Sequence, residues 1–493
     1  MPAELLLGYD IGSSSIKASL VQADTGEIVG SATSPTQELS MTALQEGWAE
    51  QHPDLWWEHL VKATAQLRTQ HPDALRQVRA IGIAYQMHGL VVVDQDQQVL
   101  RPSIIWCDSR AVDIGQRAWD DLGHDYCLSH FLNSPGNFTA SKLRWVQQNE
   151  PEQYARIVKF MLPGDYIAMK LTGTAQTTVS GLSEGILWDF MEKKTAHSLL
   201  EHYGFDEDLV PPIVPTFADQ GTVTPAVAEQ LGLPSEAKVT YRAGDQPNNA
   251  LSLNVLRPGE VATTAGTSGV IYGVSNQLEY DEQSRVNTFA HVNYSTEQPM
   301  YGILACVNGT GSLNSWLKNQ LLDGQLSYEA MNERAAQAPV GSAGVRVLPF
   351  GNGAERTLGN AELGAQIHGL DFNIHTNAHV LRAAQEGVVF ALNYSLEIMQ
   401  KMGLSISKIK AGRANMFLSP LFREAFVNTT GISLELYDTD GSVGAARGAG
   451  IGAGIYATPA EAFANLHQLE TLTPNQELQT QYEEAYQHWL TLL

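Results

Sequence analysis

Cysteine is scarce in this sequence of 493 residues, which contains only three. Cys107, Cys127 and Cys306 lie far apart and form no C-x-x-C pair, so the sequence predicts neither a disulfide framework nor a cysteine zinc site. Long apolar runs are also missing, because no stretch approaches the roughly 18 residues that a membrane helix needs. The first residues lack the basic and apolar segments of a signal peptide. We therefore expect a cytoplasmic protein.

Basic residues are few relative to acidic ones. The chain has 30 Lys and Arg residues against 53 Asp and Glu residues, a formal net charge of −23. This excess of negative charge disfavours nucleic acid and anionic membrane surfaces as partners. It does not disfavour ATP, because Mg²⁺ and backbone N–H groups can neutralise phosphates locally. The length of the chain favours two globular domains over one.

Two common nucleotide-binding motifs are absent as well. The sequence has neither a G-x-x-x-x-G-K-[ST] P-loop nor a G-x-G-x-x-G that opens a helix. It has instead one Gly/Ser turn between two predicted strands in each half, at residues 10–15 (DIGSSS) and 265–269 (AGTSG). Either turn alone could simply join strands. As a pair they suit a nucleotide, since their N–H groups can wrap the phosphates and Asp10 can hold hydrated magnesium.

A carboxylate directly follows a predicted strand near the middle of the chain. Asp245 lies in the turn Gly244-Asp245-Gln246, after the apolar run 239–243. A carboxylate in this place is a candidate proton acceptor. The alternative is that Asp245 only caps a helix that begins near Pro247.

Polar and aromatic residues follow two further predicted strands in the first half. The segment 85–89 (YQMHG) directly follows the predicted strand 78–84, and the segment 106–110 (WCDSR) comes at the end of a short predicted strand. Strand ends are where α/β sheets place ligands, and an aromatic ring beside a carboxylate and a guanidinium suits a polyhydroxylated ligand. The alternatives are a structural role for His88, and for 106–110 a surface Asp–Arg pair beside a half-buried tryptophan.

The second half contains the remaining features of interest. Residues 307–313 (VNGTGSL) predict a helix start that could contact an anion or a purine. A long amphipathic helix is predicted over 380–402. A helix of small residues is predicted over 438–454, where the many glycines imply close backbone packing or a bound ligand, because glycine in a helix costs up to ~1 kcal/mol relative to alanine. His375 and His379 lack a third ligand nearby in the sequence, which favours solvent-facing histidines over a metal site.

Prolines and glycines interrupt the chain repeatedly between residues 211 and 234, where we expect a linker. The predicted domains are residues 1–242, with the sugar site and the first phosphate loop, and residues 243–493, with the base, the second phosphate loop and the adenine site.

Eight segments, in this order, resemble the FGGY carbohydrate kinase family and span nearly the whole chain. They are residues 10–15, 86–89, 106–110, 138–146, 162–166, 244–245, 265–269 and 444–449. The resemblance implies an α/β fold with two actin-like, ribonuclease-H-like domains flanking a cleft for nucleotide and sugar. It also implies phosphorylation of a sugar hydroxyl by ATP with Mg²⁺, and a homodimer.

The resemblance extends to single residues. Asp245 matches the catalytic base of the family, and Met87 and His88 match the pair that contacts the sugar in its ketopentose kinases. Asp10 is the expected magnesium ligand. The other expected sugar contacts are Trp106, Asp108 and Gln246. The expected nucleotide contacts are Gly12, Ser13, Ser14, Lys17, Gly266, Thr267, Ser268, Gly311, Gly412 and Asn415.

We therefore expect the phosphorylation of D-xylulose to D-xylulose 5-phosphate. The alternatives are another sugar or polyol as acceptor, namely ribulose, gluconate or glycerol, or an actin-like ATPase that acts as a conformational switch. Glycerol kinases share residues 243–246 with this chain but carry Arg-Glu in place of Met87-His88. The segment 411–417 departs from the family, which usually has a denser run of glycines beside the adenine.

Overall fold

The computed structural model describes residues 4–493 of the chain. The strands are β1 (Leu5–Ile11), β2 (Ile16–Gln22), β3 (Ile28–Ser34), β4 (Glu50–Gln51), β5 (Val78–Tyr85), β6 (Val91–Val93), β7 (Ser103–Ile104), β8 (Lys159–Met161), β9 (Trp188–Asp189), β10 (Lys194–Thr195), β11 (Lys238–Gly244), β12 (Glu260–Ala265), β13 (Gly269–Ser275), β14 (Asn287–Ala290), β15 (Tyr301–Val307), β16 (Arg346–Phe350), β17 (Gly364–His368), β18 (Lys408–Gly412), β19 (Leu434–Tyr437) and β20 (Gln468–Leu472).

The α-helices alternate with these strands along most of the chain. They are α1 (Pro53–Gln70), α2 (Pro72–Leu75), α3 (Val112–Leu122), α4 (His124–Phe131), α5 (Thr139–Asn149), α6 (Pro151–Tyr154), α7 (Pro163–Thr172), α8 (Val179–Glu184), α9 (His197–Tyr203), α10 (Pro225–Leu231), α11 (Asp245–Ser252), α12 (Gly311–Trp316), α13 (Tyr328–Ala335), α14 (Asn377–Lys401), α15 (Pro420–Thr430), α16 (Gly441–Gly452), α17 (Pro459–Ala462) and α18 (Gln476–Leu490). The long helix and the helix of small residues that the sequence predicts are therefore present as α14 and α16. Within residues 4–493, no helix is both long and apolar enough to cross a membrane.

The chain forms two compact units, and neither is one continuous half of the sequence. The first unit contains the chain up to Asn254 together with Phe289–Tyr301 and Thr439–Leu466, and the second unit contains Val255–Thr288, Gly302–Asp438 and His467–Leu493. The boundary between residues 242 and 243 stays a prediction. In the structure, Asp245 and helix α16 both lie in the first unit.

The first unit is built on a five-stranded sheet with the order β11-β5-β1-β2-β3. Strands β1, β5 and β11 are parallel, whereas β2 and β3 are antiparallel to their neighbours. Apolar side chains from the sheet, from α1 and from α7 form a buried core. Because parallel strands end at the same edge of a sheet, the segments that follow β1, β5 and β11 are neighbours.

Helix α16 lies directly against this sheet because both surfaces lack side chains at the contact. Gly8 of β1 and Gly82 of β5 are paired across the two strands. A Cβ atom on Gly8 would lie 1.8 Å from the carbonyl oxygen of Ser442, and one on Gly82 would lie 1.9 Å from that of Ala445. On the helix side, a Cβ atom on Gly452 would lie 1.9 Å from the carbonyl oxygen of Thr240 in β11, so the predicted small-residue helix also has a glycine that serves close backbone packing, one of the two expected explanations.

The second unit has a seven-stranded sheet with the order β14-β15-β13-β12-β18-β19-β20. Strand β12 pairs antiparallel with β13 and parallel with β18, just as β1 pairs antiparallel with β2 and parallel with β5. Helices α14, α15 and α18 contribute buried side chains to its core. Each unit therefore contains the strand–turn–strand arrangement that the sequence predicts from its two Gly/Ser turns.

Candidate active site

Two carboxylates lie at one edge of the sheet in the first unit. Asp10 is near the end of β1, and Asp245 directly follows the end of β11. Strand β5 lies between β1 and β11 and pairs with both strands, since its Ala84 is opposite Asp10 of β1 on one side and Ala243 of β11 on the other. The residue before α11 that acts as its N-cap is Gly244, and Asp245 is the first residue of the helix. The helix therefore begins at Asp245, two residues before the expected start near Pro247.

The surroundings of Asp245 suit a group that exchanges a proton near neutral pH. Burial and, second, the negative charge of Asp10 together raise the pKa of the Asp245 carboxyl to about 7, while hydrogen bonding with Gln246 opposes the change. Burial and the charge of Asp440 raise the pKa of Asp10 to about 6, and Lys17 opposes this. Both carboxyl groups thus lack the positive charge that would fully compensate them.

Asp440 is the third member of this acidic group, and it is not among the site residues expected from the sequence. Its carboxylate accepts hydrogen bonds from the N–H groups of Ser442 and Val443, as the N-cap of α16. It also forms an ion pair with Lys17, which was expected to contact the nucleotide. In the sequence, Asp440 lies near the start of the helix predicted over 438–454, where an acidic residue normally indicates a cap and no more.

The turn after β1 is held by its own backbone and by neighbouring side chains. The N–H group of Gly12 donates to the carbonyl oxygen of Ser15 at 3.1 Å. The carbonyl oxygen of Ser13 accepts from the Gln51 amide at 2.7 Å, and that of Ser14 accepts from the N–H group of Leu39 at 2.8 Å. These bonds order the turn through its carbonyl groups. Contacts of Gly12, Ser13, Ser14 and Lys17 with a nucleotide stay a prediction.

The segment after β5, which contains Met87 and His88, lies next to the end of β11, where Asp245 follows Gly244. Met87 is buried, and a Cβ atom on Gly244 would lie 2.6 Å from its Cγ atom. The Nδ1 atom of His88 lies 2.9 Å from the carbonyl oxygen of Glu184. A carbonyl oxygen can only accept, so Nδ1 carries the proton of this hydrogen bond.

The segment after β7 contains a buried ion pair. The carboxylate of Asp108 accepts from Arg110 through Nε at 2.9 and 3.0 Å and through a terminal nitrogen at 2.6 Å, and it also accepts from the N–H group of Ala49 at 2.6 Å. The guanidinium of Arg110 lies 3.8 Å from the ring centre of Trp48 and is only 1% exposed. The Asp108–Arg110 pair is therefore buried, whereas the structural alternative supposed a pair on the surface.

Trp106 of the same segment is 45% exposed, and its Nε1 atom lies 3.4 Å from the hydroxyl oxygen of Ser13. Its exposed ring is thus available to the apolar face of a sugar. Direct sugar contacts of Trp106, Asp108 and Gln246 stay predictions, and both carboxylate oxygens of Asp108 already accept hydrogen bonds from the protein.

Glu184 is a further buried carboxyl close to Asp245 that the sequence did not indicate. It ends helix α8, and a Cβ atom on Gly244 would lie 2.8 Å from its Oε2 atom. Its pKa is raised well above the usual value, mainly by burial, and the charge of Asp245 adds to this effect. In the sequence it stands in a Ser/Gly/Thr-rich stretch that predicts an exposed loop, so nothing pointed to its burial.

The second unit contains a cavity of about 960 Å³. Its lining includes four of the six expected nucleotide contacts of this unit, namely Gly266, Thr267, Gly311 and Asn415, whereas Ser268 and Gly412 are not among its lining residues. Pockets of roughly 300–1,000 Å³ are typical for cofactors and comparable ligands. The turn after β12, the start of α12 and the segment after β18 thus meet at one cavity that is large enough for a nucleotide.

Two of the segments around this cavity are joined by backbone hydrogen bonds. The N–H group of Gly311 donates to the carbonyl oxygen of Gly266 at 2.9 Å, and that of Ser312 donates to Thr267 at 3.1 Å. A Cβ atom on Gly311 would lie 2.3 Å from the oxygen of Gly266. The N–H groups at the start of α12 are therefore engaged within the protein, and Gly311 is needed for the close approach of the two segments.

A chain of polar side chains lines the same cavity. The Ser419 hydroxyl donates to Gln385 Oε1 at 2.8 Å, and Gln385 Nε2 donates to Asn332 Oδ1 at 2.9 Å. Arg413 also lines the cavity, in the segment that departs from the family pattern. The sequence did not indicate Asn332 or Gln385, because both lie on helices whose periodicity shows only which side faces the core.

Comparison with known proteins covers nearly the whole chain. The N-terminal domain of the FGGY family of carbohydrate kinases matches residues 5–252, and the C-terminal domain of that family matches residues 261–454. The xylulose kinase of Klebsiella pneumoniae is 30% identical over 90% of this chain and 88% of its own length, and that of Staphylococcus epidermidis ATCC 12228 is 30% identical over 99% and 96%. A crystal structure of xylulose kinase from Rhodospirillum rubrum is 26% identical, with a TM-score of 0.89 over 99% of this chain and 98% of that one.

Proposed function

The chain belongs to the FGGY family of carbohydrate kinases and is a sugar phosphotransferase, and we propose that its substrate is D-xylulose, which it converts to D-xylulose 5-phosphate with ATP. The observation that carries this proposal is that Asp245 and the segment with Met87 and His88 follow two paired strands, β11 and β5, at one edge of the first unit's sheet. The relatives named above are xylulose kinases, which supports the same acceptor.

Asp245 acts as the general base. Its carboxylate accepts the proton of the attacking sugar hydroxyl as the terminal phosphoryl group of ATP is transferred. A pKa of about 7 is well matched to this task, because a base is most effective when its pKa is near the working pH. His88 contacts another hydroxyl of the sugar, and Trp106 covers the apolar face of the sugar. Met87 supports the base by packing against Gly244.

ATP binds at the cavity of the second unit, with its phosphates near Gly266 and Thr267 and its base toward Asn332 and Asn415. Phosphoryl transfer depends mainly on positioning and on stabilisation of charge, so these contacts matter as much as the base does.

Magnesium fits the acidic group of the first unit. Asp10 is a half-buried carboxylate whose pKa is raised by burial and by the charge of Asp440, and a cation would relieve this repulsion. Residues 4–493 contain no group of three side chains that could hold a metal by themselves. Proteins usually hold Mg²⁺ through one or two carboxylates together with waters and phosphates. When bound, Mg²⁺ neutralises charge on the phosphates.

The test is ADP production from Mg²⁺-ATP with a panel of acceptors: D-xylulose, D-ribulose, L-ribulose, L-xylulose, gluconate, glycerol and no sugar. We expect the highest kcat/KM with D-xylulose. A higher value with gluconate or glycerol would reject the proposed acceptor but keep the kinase, and hydrolysis that ignores every sugar would favour the switch ATPase.

We also propose that the protein is cytoplasmic, as the sequence predicts, and that it forms a homodimer, as the family resemblance implies. Light scattering coupled to size-exclusion chromatography should give twice the mass of the chain, which is 53.7 kDa. A single species at the mass of one chain would reject the dimer.

A further inference from the structure

Lys142 is a fully buried lysine in the first unit, and the mechanism above does not use it. It lies in the first half of α5, and its residue exposure is 0%. Its Nζ atom donates to the carbonyl oxygen of His88 at 2.9 Å and to that of Ile105 at 2.9 Å. A buried ammonium is costly unless its protons are bound, so these two acceptors account for its position.

The two acceptors belong to the two segments that carry the expected sugar contacts. His88 is itself such a contact, and Ile105 directly precedes Trp106. The two segments are separate in sequence and follow different strands, β5 and β7. A single ammonium therefore connects the backbone of both segments. It does so at the expected sugar contact His88 and at Ile105, the residue directly before the expected contact Trp106.

The backbone of His88 depends on such a connection. Its φ angle is 61°, in the left-handed region that residues other than glycine rarely adopt. Conformations of this kind persist where the surroundings hold them, and they are concentrated at functional sites. Here the carbonyl group of His88 is held by Lys142 and its ring by Glu184. The Phe138 ring, 4.8 Å away between ring centres, closes a further side.

The carboxylate of Asp108 favours the charged form of Lys142 against the effect of burial. Burial lowers the pKa of Lys142 to about 7, and the neighbouring carboxylate of Asp108 opposes that change. Asp108 is bound by Arg110 and by the N–H group of Ala49, so it adds attraction without replacing either carbonyl acceptor.

We propose that Lys142 is a positioning residue for the sugar: its ammonium holds the segment at His88 and the segment at Trp106 in the arrangement that sugar binding requires. This inference rests on the proposed function. Lys142 acts through these two segments and does not itself contact the reacting atoms. Loss of the ammonium should therefore weaken sugar binding and leave nucleotide binding in the second unit unchanged.

The test compares Lys142→Met with wild type and with Lys62→Met, a control that removes an exposed lysine paired only with Glu58 on α1. We expect the KM for D-xylulose to rise ten- to hundredfold in Lys142→Met, which is about 1.4 to 2.8 kcal/mol at roughly 1.4 kcal/mol per tenfold. The KM for ATP and the sugar-independent hydrolysis of ATP should stay within twofold in both variants.

KM separates this role from a purely structural one, because it does not depend on how much of the enzyme is folded. A purely structural lysine would lower Tm and apparent kcat in Lys142→Met and leave the KM for the sugar unchanged, and that result would overturn the proposal. If Lys142→Met does not fold, Lys142→Arg decides. It keeps the charge and the donors but places them differently, so we expect at least a threefold rise in the sugar KM, and an unchanged KM would overturn the proposal.

Wild type is measured on the same plate. An inactive wild type with D-xylulose would reject the proposed function, whereas an active wild type beside an unchanged Lys142→Met would reject this inference alone.

Discussion

Replacement of Asp245 by asparagine should remove both the catalytic base and the pH dependence that it causes. The pKa of this carboxyl is raised from 3.8 to about 7, by burial first and by Asp10 second. Below its pKa the carboxyl already holds a proton and cannot accept another. Activity should therefore rise with pH on the acidic side and level off above the pKa.

The expected size of the effect follows from the pKa. With a pKa of about 7, roughly a tenth of the carboxyl groups are ionised at pH 6 and roughly nine tenths at pH 8. A cation bound at Asp10 would cancel part of the repulsion, so the midpoint with Mg²⁺ present should lie below 7 and above the ordinary 3.8. Loss of the base should lower kcat by ~10²–10⁴, the usual contribution of a general base.

The assay is kcat/KM for D-xylulose at saturating Mg²⁺-ATP between pH 4.5 and 8.5, for wild type and Asp245→Asn, with binding of ATP measured as the control. Wild type should show an acidic limb of unit slope, and the residual activity of the variant should show none. Retention of more than a tenth of the activity in Asp245→Asn would refute the assignment, and so would the same acidic limb in both proteins.

Three other substitutions test the packing described above. Gly311→Ala should raise the KM for ATP with little change in the KM for the sugar, because its Cβ atom would lie 2.3 Å from the Gly266 oxygen. A KM for ATP equal to that of wild type would contradict this. Gly82→Ala should lower Tm or prevent folding, since overpacking typically costs about 1–3 kcal/mol and the new Cβ would lie 1.9 Å from the Ala445 oxygen. Arg110→Lys should also lower the Tm measured by calorimetry, because breaking a buried ion pair costs up to about 3–5 kcal/mol of stability. An unchanged Tm would show that lysine replaces both the ion pair and the aromatic contacts.

Local patterns in the sequence predicted the parts of the fold that neighbouring residues determine. The strand over 78–84 and the turns at 10–15 and 265–269 are present, because apolar runs that end in Gly/Ser clusters specify strands and turns by themselves. Strand ends also indicated the segments at Met87 and Asp245, since the geometry of parallel sheets places such segments together.

The rest depends on partners that are distant in the sequence. Lys17 and Asp440 are 423 residues apart, so no local pattern could pair them. Lys142 stood in a motif that resembles the family, but its two acceptors are backbone carbonyl groups, which carry no mark in the sequence. For Asp108, the residue type indicated a polar contact, and only the fold shows that Arg110 already binds its carboxylate.

Helix α16 has a consequence for how this chain must be made in the cell. The residues that cover one face of the first unit's sheet, including Val443 and Ala446 against Leu6 and Ala80, follow far behind that sheet in the sequence. At about 5–20 residues per second, the roughly 200 residues between β11 and α16 take about 10 to 40 s to synthesise, and the completed sheet face is uncovered during that time. Nascent chains that stop near residue 254 would contain all five strands and still expose this apolar surface, which makes them natural targets for chaperones and proteases.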